Sequence, residues 1–124
     1  MTAMRIVLVI AAVLTVLAAA PPARADDDVR VRGTCTGSSE ARLRLRADDG
    51  RLRIELELAN RGRATQWRVV IVRERRLAWQ GVVRAARRST VRVRRSYPDW
   101  FGTETVVVRA VARHGEACRA SATI

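Results

Sequence analysis

His114 is the only histidine of the chain, and Cys35 and Cys118 are its only cysteines. That inventory closes off most catalytic chemistry. A serine nucleophile needs an orienting base, here only His114, and no local motif brings a serine to it. Zinc and copper sites draw on several nitrogen or sulfur donors; one histidine and two paired cysteines leave no ligand set, so no metal and no cofactor are expected. The carboxylates fall mostly in turns or at outward strand positions facing arginine, not as an acid–base pair set across a cleft. Asp26-Asp27-Asp28 lacks the spaced acids and carbonyl ligands of a calcium loop and reads as an acidic, flexible N-terminus at 26–28. The expectation is a protein that is not an enzyme and takes no small-molecule substrate.

Arginine is the chemistry the chain does hold. Its 24 basic residues are all arginine, against 12 acids, for a formal net charge of +12. Strand alternation sends Arg30, Arg32, Arg42, Arg44, Arg46 and Arg53 outward from three early strands and Arg92 and Arg94 outward from a later one; Arg95, next after that short strand, is expected outward with them. Guanidinium groups tiled on one face suit bidentate contacts to phosphate or carboxylate. The partners this implies are an anionic cell-envelope polymer or a membrane surface. Nucleic acid is disfavoured, because no aromatic residue interleaves with these arginines as a stacking platform. The competing reading is a solvated, aggregation-resistant coat whose arginine comes from a GC-rich coding bias. A second candidate is the run Tyr97-Pro98-Asp99-Trp100-Phe101-Gly102. As an exposed loop, Tyr97, Trp100 and Phe101 would make a protein-binding module or inhibitor; folded inward, they would plug the end of the core.

The elements that must carry these residues are strands. Residues 1–25 read as a cleaved signal peptide: Arg5, the apolar run Ile6 to Ala20, and the small-x-small site Ala23-Arg24-Ala25. The mature chain reads as a β-sandwich domain over 29–124, expected outside the membrane as a secreted or envelope-associated protein. Losing Arg5 and Arg24 leaves it at about +10. An oxidising destination makes a Cys35–Cys118 disulfide the expected state. Val29 to Cys35 alternates as one half-buried strand that points Cys35 inward. Ala41, Leu43, Leu45 and Ala47 line a second strand, and Leu52, Ile54, Leu56 and Leu58 a third. The inward set changes from odd to even across Asp49-Gly50, the favoured pair for a two-residue type I′ hairpin. In that register, outward Arg42, Arg44 and Arg46 can meet Glu55, Glu57 and Arg53 across the hairpin.

Asn60-Arg61-Gly62-Arg63 is a turn that leaves open a hairpin or a crossing between sheets. Gln66 to Val72 reads as a central strand with Trp67 at the heart of the core; Arg73 to Arg76 turns the chain into a weaker edge strand over Leu77 to Val83. Val91 to Arg94 is a short sixth strand. Val106, Val108, Ala110 and Ala112 then face Cys118, Ala120, Ala122 and Ile124 across Arg113-His114-Gly115, a three-residue hairpin with Gly115 left-handed. Eight short strands with regular turn signals predict an all-β, single antiparallel sandwich of about seven to eight strands.

With Gln66-Trp67-Arg68-Val69 on a central strand and Asp99-Trp100-Phe101-Gly102-Thr103-Glu104-Thr105-Val106 leading into the penultimate one, the chain resembles immunoglobulin-like and fibronectin type III-like sandwiches. Gly33-Thr34-Cys35 paired with Gly115-Glu116-Ala117-Cys118 resembles small secreted actinobacterial proteins of this type. The resemblance implies the sandwich and supplies no functional residue.

Overall fold

The structure is a computed structural model and describes residues 28–100 and 102–124. The expected signal peptide and cleavage site, Asp26, Asp27 and Phe101 lie outside the described residues. Two antiparallel sheets pack face to face. The strands are β1 (Asp28–Arg32), β2 (Thr34–Cys35), β3 (Glu40–Asp48), β4 (Arg51–Ala59), β5 (Thr65–Arg73), β6 (Arg76–Ala85), β7 (Thr90–Pro98), β8 (Thr105–Ala112) and β9 (Ala117–Thr123). One sheet has the order β1-β3-β4-β7, the other β2-β9-β8-β5-β6.

The core is what period-two alternation requires. Leu43, Leu45, Leu52, Ile54, Leu56 and Leu58 from the first sheet meet Trp67, Val69, Ile71, Val106, Val108 and Ala110 from the second, all buried. Burying such aliphatic side chains contributes about 1.5–3 kcal/mol each, so these alternating runs are the main force that folds the chain. The β3–β4 hairpin has the expected register, with Ala47 opposite Leu52. Asp49 and Gly50 both hold positive φ, 50° and 68°, as a type I′ turn demands. The β8–β9 hairpin also follows expectation: Gly115 has φ +105° and its N–H donates to the Ala112 carbonyl.

Cys35 and Cys118 are direct cross-strand partners on β2 and β9 and are disulfide-bonded. The bond closes an 83-position span, worth about 4–5 kcal/mol in the loop-entropy model, taken as an upper figure.

Four expectations need correcting. The run Val29 to Cys35 is two strands: β1 pairs with β3 in one sheet and β2 with β9 in the other. Gly33 makes the switch because the backbones crowd there; a Cβ would lie 2.6 Å from the Arg119 carbonyl oxygen. That split brings the number of strands among the described residues to nine. Asp28 belongs to β1 and not to a flexible tail, held by Arg44. Arg73 is no turn residue but the buried end of β5, and Glu74-Arg75 form the turn with φ 48° and 63°. The sixth predicted strand is longer than Val91 to Arg94, because β7 pairs with β4 along its whole length through Tyr97↔Leu52 to Pro98↔Arg51.

Asn60 resolves the turn left open: the chain crosses between sheets there. Its buried side chain donates through Nδ2 to the Arg63 and Ala86 carbonyls, tying this crossing to the one that returns from β6.

Candidate anion-binding face

Antiparallel pairing sets the arginines in rows. The outer face of the four-stranded sheet carries Arg30, Arg44, Glu55 and Arg94 in one row and Arg32, Arg42, Glu57 and Arg92 in the next; Asp28, Arg46, Arg53 and Ser96 form a third. The predicted Arg30, Arg32, Arg42, Arg44, Arg46, Arg53, Arg92 and Arg94 therefore share one face. Two adjoining depressions run over it. One of about 480 Å³ is lined by Arg30, Arg32, Arg42, Arg44, Arg92, Glu55 and Glu57. The other, about 320 Å³, is lined by Arg44, Arg46, Arg53, Arg94 and Glu55 among others.

Carboxylates on the face engage part of the charge. Arg44 donates from Nε and Nη2 to the two oxygens of Asp28 at 2.9 and 2.7 Å. This bidentate contact holds the Asp28 carboxyl below the usual carboxylate range, with Arg30 adding to it, and raises Arg44. Arg94 lies 3.4 Å from Glu55 and Arg92 3.7 Å from Glu57. These are exposed pairs of small energetic worth. Arg32, Arg42 and Arg53 make no ion pair among the described residues. The face can thus offer three uncommitted guanidinium groups, and several others whose carboxylate partners an incoming polyanion could displace.

Arg95 departs from expectation. It lies opposite Ile54, on the inward-facing side of β7, and its guanidinium stacks 4.3 Å from the Trp79 ring centroid on β6. The contact joins the open edges of the two sheets and belongs to the architecture, not to the arginine face.

Tyr97 and Trp100 of the aromatic run are equally tied down. Tyr97 is a strand residue, half-buried, and its hydroxyl donates to the Ala78 carbonyl at 3.2 Å. The Trp100 ring lies 3.6 Å from the Arg73 guanidinium carbon. Beneath it Arg73 donates from Nε and Nη2 to Glu104 Oε1 and from Nη2 to the Pro98 carbonyl. Side-chain exposure is 5% for Arg73 and 2% for Glu104. Trp100 therefore roofs a buried ion pair, although it is still 44% exposed. The sequence reading missed this pair. Its signal was present: Arg73 continues the inward parity of Trp67, Val69 and Ile71, and Glu104 that of Val106.

His114 stands in its hairpin turn, exposed. Its ring meets Trp67 edge-on at 6.3 Å, and Nδ1 accepts from the Glu116 N–H. Among the described residues no three His, Cys, Asp or Glu side chains gather as metal ligands.

The second sheet turns a different outer face to solvent. Outward β5, β6 and β8 positions set Val72 between Leu77 and Val107, Val70 between Gln80 and Arg109, and Arg68 between Val82 and Val111. Arg109 lies directly opposite Arg119 on β9. Val70, Val72 and Val107 are half-buried, the other valines and the leucine exposed.

No family model matches the chain, and no curated protein or solved structure matches it.

Proposed function

We propose that this is an exported, non-catalytic binding protein that attaches to anionic polymers of the cell envelope through the outer face of β1-β3-β4-β7. The observation that carries the reading is the convergence of the predicted arginines on one sheet face, with Arg32, Arg42 and Arg53 uncommitted among the described residues. A strand rises about 3.3 Å per residue, so outward arginines recur about every 6.6 Å along it, a spacing suited to a phosphate- or carboxylate-bearing chain. Export is supported by the signal-like residues 1–25 and by the disulfide, which is compatible with an extracellular location. The immunoglobulin-like reading is supported by the order β9-β8-β5-β6, that of strands G, F, C and C′ in a variable-type domain. In the other sheet the order β3-β4-β7 is that of strands A, B and E, the crossing from β4 to β5 is that from B to C, and β1 is an additional edge strand. The stacking of Trp100 on Arg73 supports a structural use of the aromatic run over a protein-binding one.

The test is retention of the oxidised chain from Asp26 onward on isolated cell envelope across a salt series; this segment contains both sheets, the core and the disulfide. Retention should be strong at low salt, fall steeply as ionic strength rises, and drop in the triple variant Arg32→Gln, Arg42→Gln, Arg53→Gln. No retention at low salt, or retention unchanged in that variant, would sink the reading.

A further inference from the structure

Three of the four exposed large hydrophobic residues among the described residues stand on one surface: Leu77 and Val82, each 57% exposed, and Val111, 39% exposed, all at outward positions of the five-stranded sheet. Between them rise Arg68, Arg109 and Arg119, exposed and without an ion pair among the described residues. Among the described residues no outward strand position of this sheet carries a carboxylate. Glu74 and Glu116, in the turns that bound it, have their carboxylates occupied by the Thr105 and Ser39 N–H groups. Arg109 and Arg119 sit directly opposite each other across β8 and β9, an arrangement that opposes folding when no acid intervenes. In the first sheet Arg30 and Arg44, Arg32 and Arg42, and Arg46 and Arg53 also stand opposite each other, but each of those rows holds an acid, Glu55, Glu57 or Asp28, and the rows of the second sheet hold none.

We propose that this face docks on the surface of an anionic phospholipid bilayer. The charge pattern selects the occupant. A second copy related by a two-fold axis would press Arg68, Arg109 and Arg119 against the same patch of its partner, which holds arginine and no acid to pair them. A folded protein partner is the poorer fit, because binding hot spots concentrate in Trp, Tyr and Arg anchors seated in pockets, and among the described residues the outward positions of this sheet supply arginine but no aromatic anchor. A bilayer needs no such complementarity. Its lipid phosphates accept bidentate contacts from guanidinium groups whose apolar stems lie along the sheet, and short aliphatic side chains settle among the headgroups. The proposal is independent of the polymer reading, which uses the opposite face of the sandwich.

The experiment is co-sedimentation of the oxidised chain from Asp26 onward with vesicles of phosphatidylglycerol and phosphatidylcholine in equal parts, against phosphatidylcholine alone. Binding is expected to the anionic vesicles and not to the neutral ones. Each arginine near an anionic surface is worth about fivefold in affinity, so Arg68→Gln with Arg109→Gln should weaken binding about thirtyfold. Leu77→Ser with Val82→Ser should abolish whatever binding survives about 0.5 M salt, where charge alone is screened. Arg63→Gln with Arg87→Gln, exposed in the two loops that cross between the sheets, removes as much charge but from neither face and should bind as the parent does. Thermal unfolding of each variant confirms that it is folded. Equal binding by the Arg68/Arg109 variant and the parent would overturn the proposal, as would failure to sediment with anionic vesicles. So would soluble polyglutamate bound through Arg68 and Arg109 as tightly as the vesicles, which would identify an acidic protein as the partner.

Discussion

Glu104→Ala should be among the most damaging single substitutions in the molecule. It leaves the Arg73 guanidinium buried, its side chain 5% exposed, with the Pro98 carbonyl and the Tyr97 and Trp100 rings but no carboxylate beside it. Breaking one side of such a pair costs about 3–5 kcal/mol, and a domain of this size holds about 5–15 kcal/mol in total. With a urea m-value of about 1.5 kcal/mol/M, the unfolding midpoint should fall by about 2–3 M. The backbone is not at issue, since the Glu104 N–H and carbonyl pair with Ile124 whatever the side chain. Replacing both partners, Arg73→Met with Glu104→Leu, removes the stranded charge and the unpartnered Glu104 Oε2 together. Pro98 is exposed, so its carbonyl can turn to water. The double variant should therefore lie within about 2 kcal/mol of the parent. Urea unfolding followed by tryptophan fluorescence reads all three proteins. A loss below about 1 kcal/mol for Glu104→Ala, or a double variant as unstable as the single, would refute the argument that pairing and not mere volume matters here.

The strand switch and the edge ion pair give two further expected outcomes. Gly33→Ala forces a Cβ to within 2.6 Å of the Arg119 carbonyl oxygen and 3.1 Å of the Ala120 Cβ, so β1 or β2 must shift; thermal unfolding should show a loss of about 1–3 kcal/mol. The Asp28 carboxyl is held below its ordinary 3.8 in the folded protein, so its contribution is present above that value and is lost as pH falls through the lower folded one. The stability difference between the parent and Asp28→Asn should accordingly hold at neutral pH and vanish in acid, with the β1 amides exchanging faster in the variant; a difference that persists below about pH 2 would contradict the pairing.

How far the fold was legible depended on whether local pattern and local turn chemistry spoke to the same residues. Asp49-Gly50 and Arg113-His114-Gly115 could be read with their registers because parity on both flanks demanded a particular loop length, and the loop residues suited it. Gly33 could not, because alternation continues unbroken from Val29 to Cys35 while the hydrogen-bonding partner changes; inward and outward parity says nothing about which sheet is being joined. The arginine face was legible residue by residue, as parity, but Arg95 shows the limit. It lies one residue past Arg94 and so points the other way, to Trp79. Arg73 was misplaced for the opposite reason: its parity was right for the core, and its charge argued for a turn. A buried ion pair needs two residues 31 positions apart to be considered together, which no single-strand pattern does.

The two outer faces also bear on why the chain is so rich in arginine. A coding bias acts on arginine codons without regard to where the residue will stand, and by itself it would leave carboxylates scattered. They are not scattered. Outward positions of β1, β3 and β4 hold Asp28, Glu40, Asp48, Glu55 and Glu57, each within 3.8 Å of an arginine. Part of the first face's charge is thus compensated by its own acids, which explains some of its arginine by folding, and leaves Arg32, Arg42 and Arg53 over. The second face has the same arginine, none of the acid, and exposed leucine and valine besides. Folding alone gains nothing from Arg109 set against Arg119, and solubility is not served by Leu77 and Val82. On the bilayer proposal the face is accounted for by what it meets: its unpaired arginines repel a second copy, and charge with aliphatic surface in one plane is the complement of an anionic amphiphile.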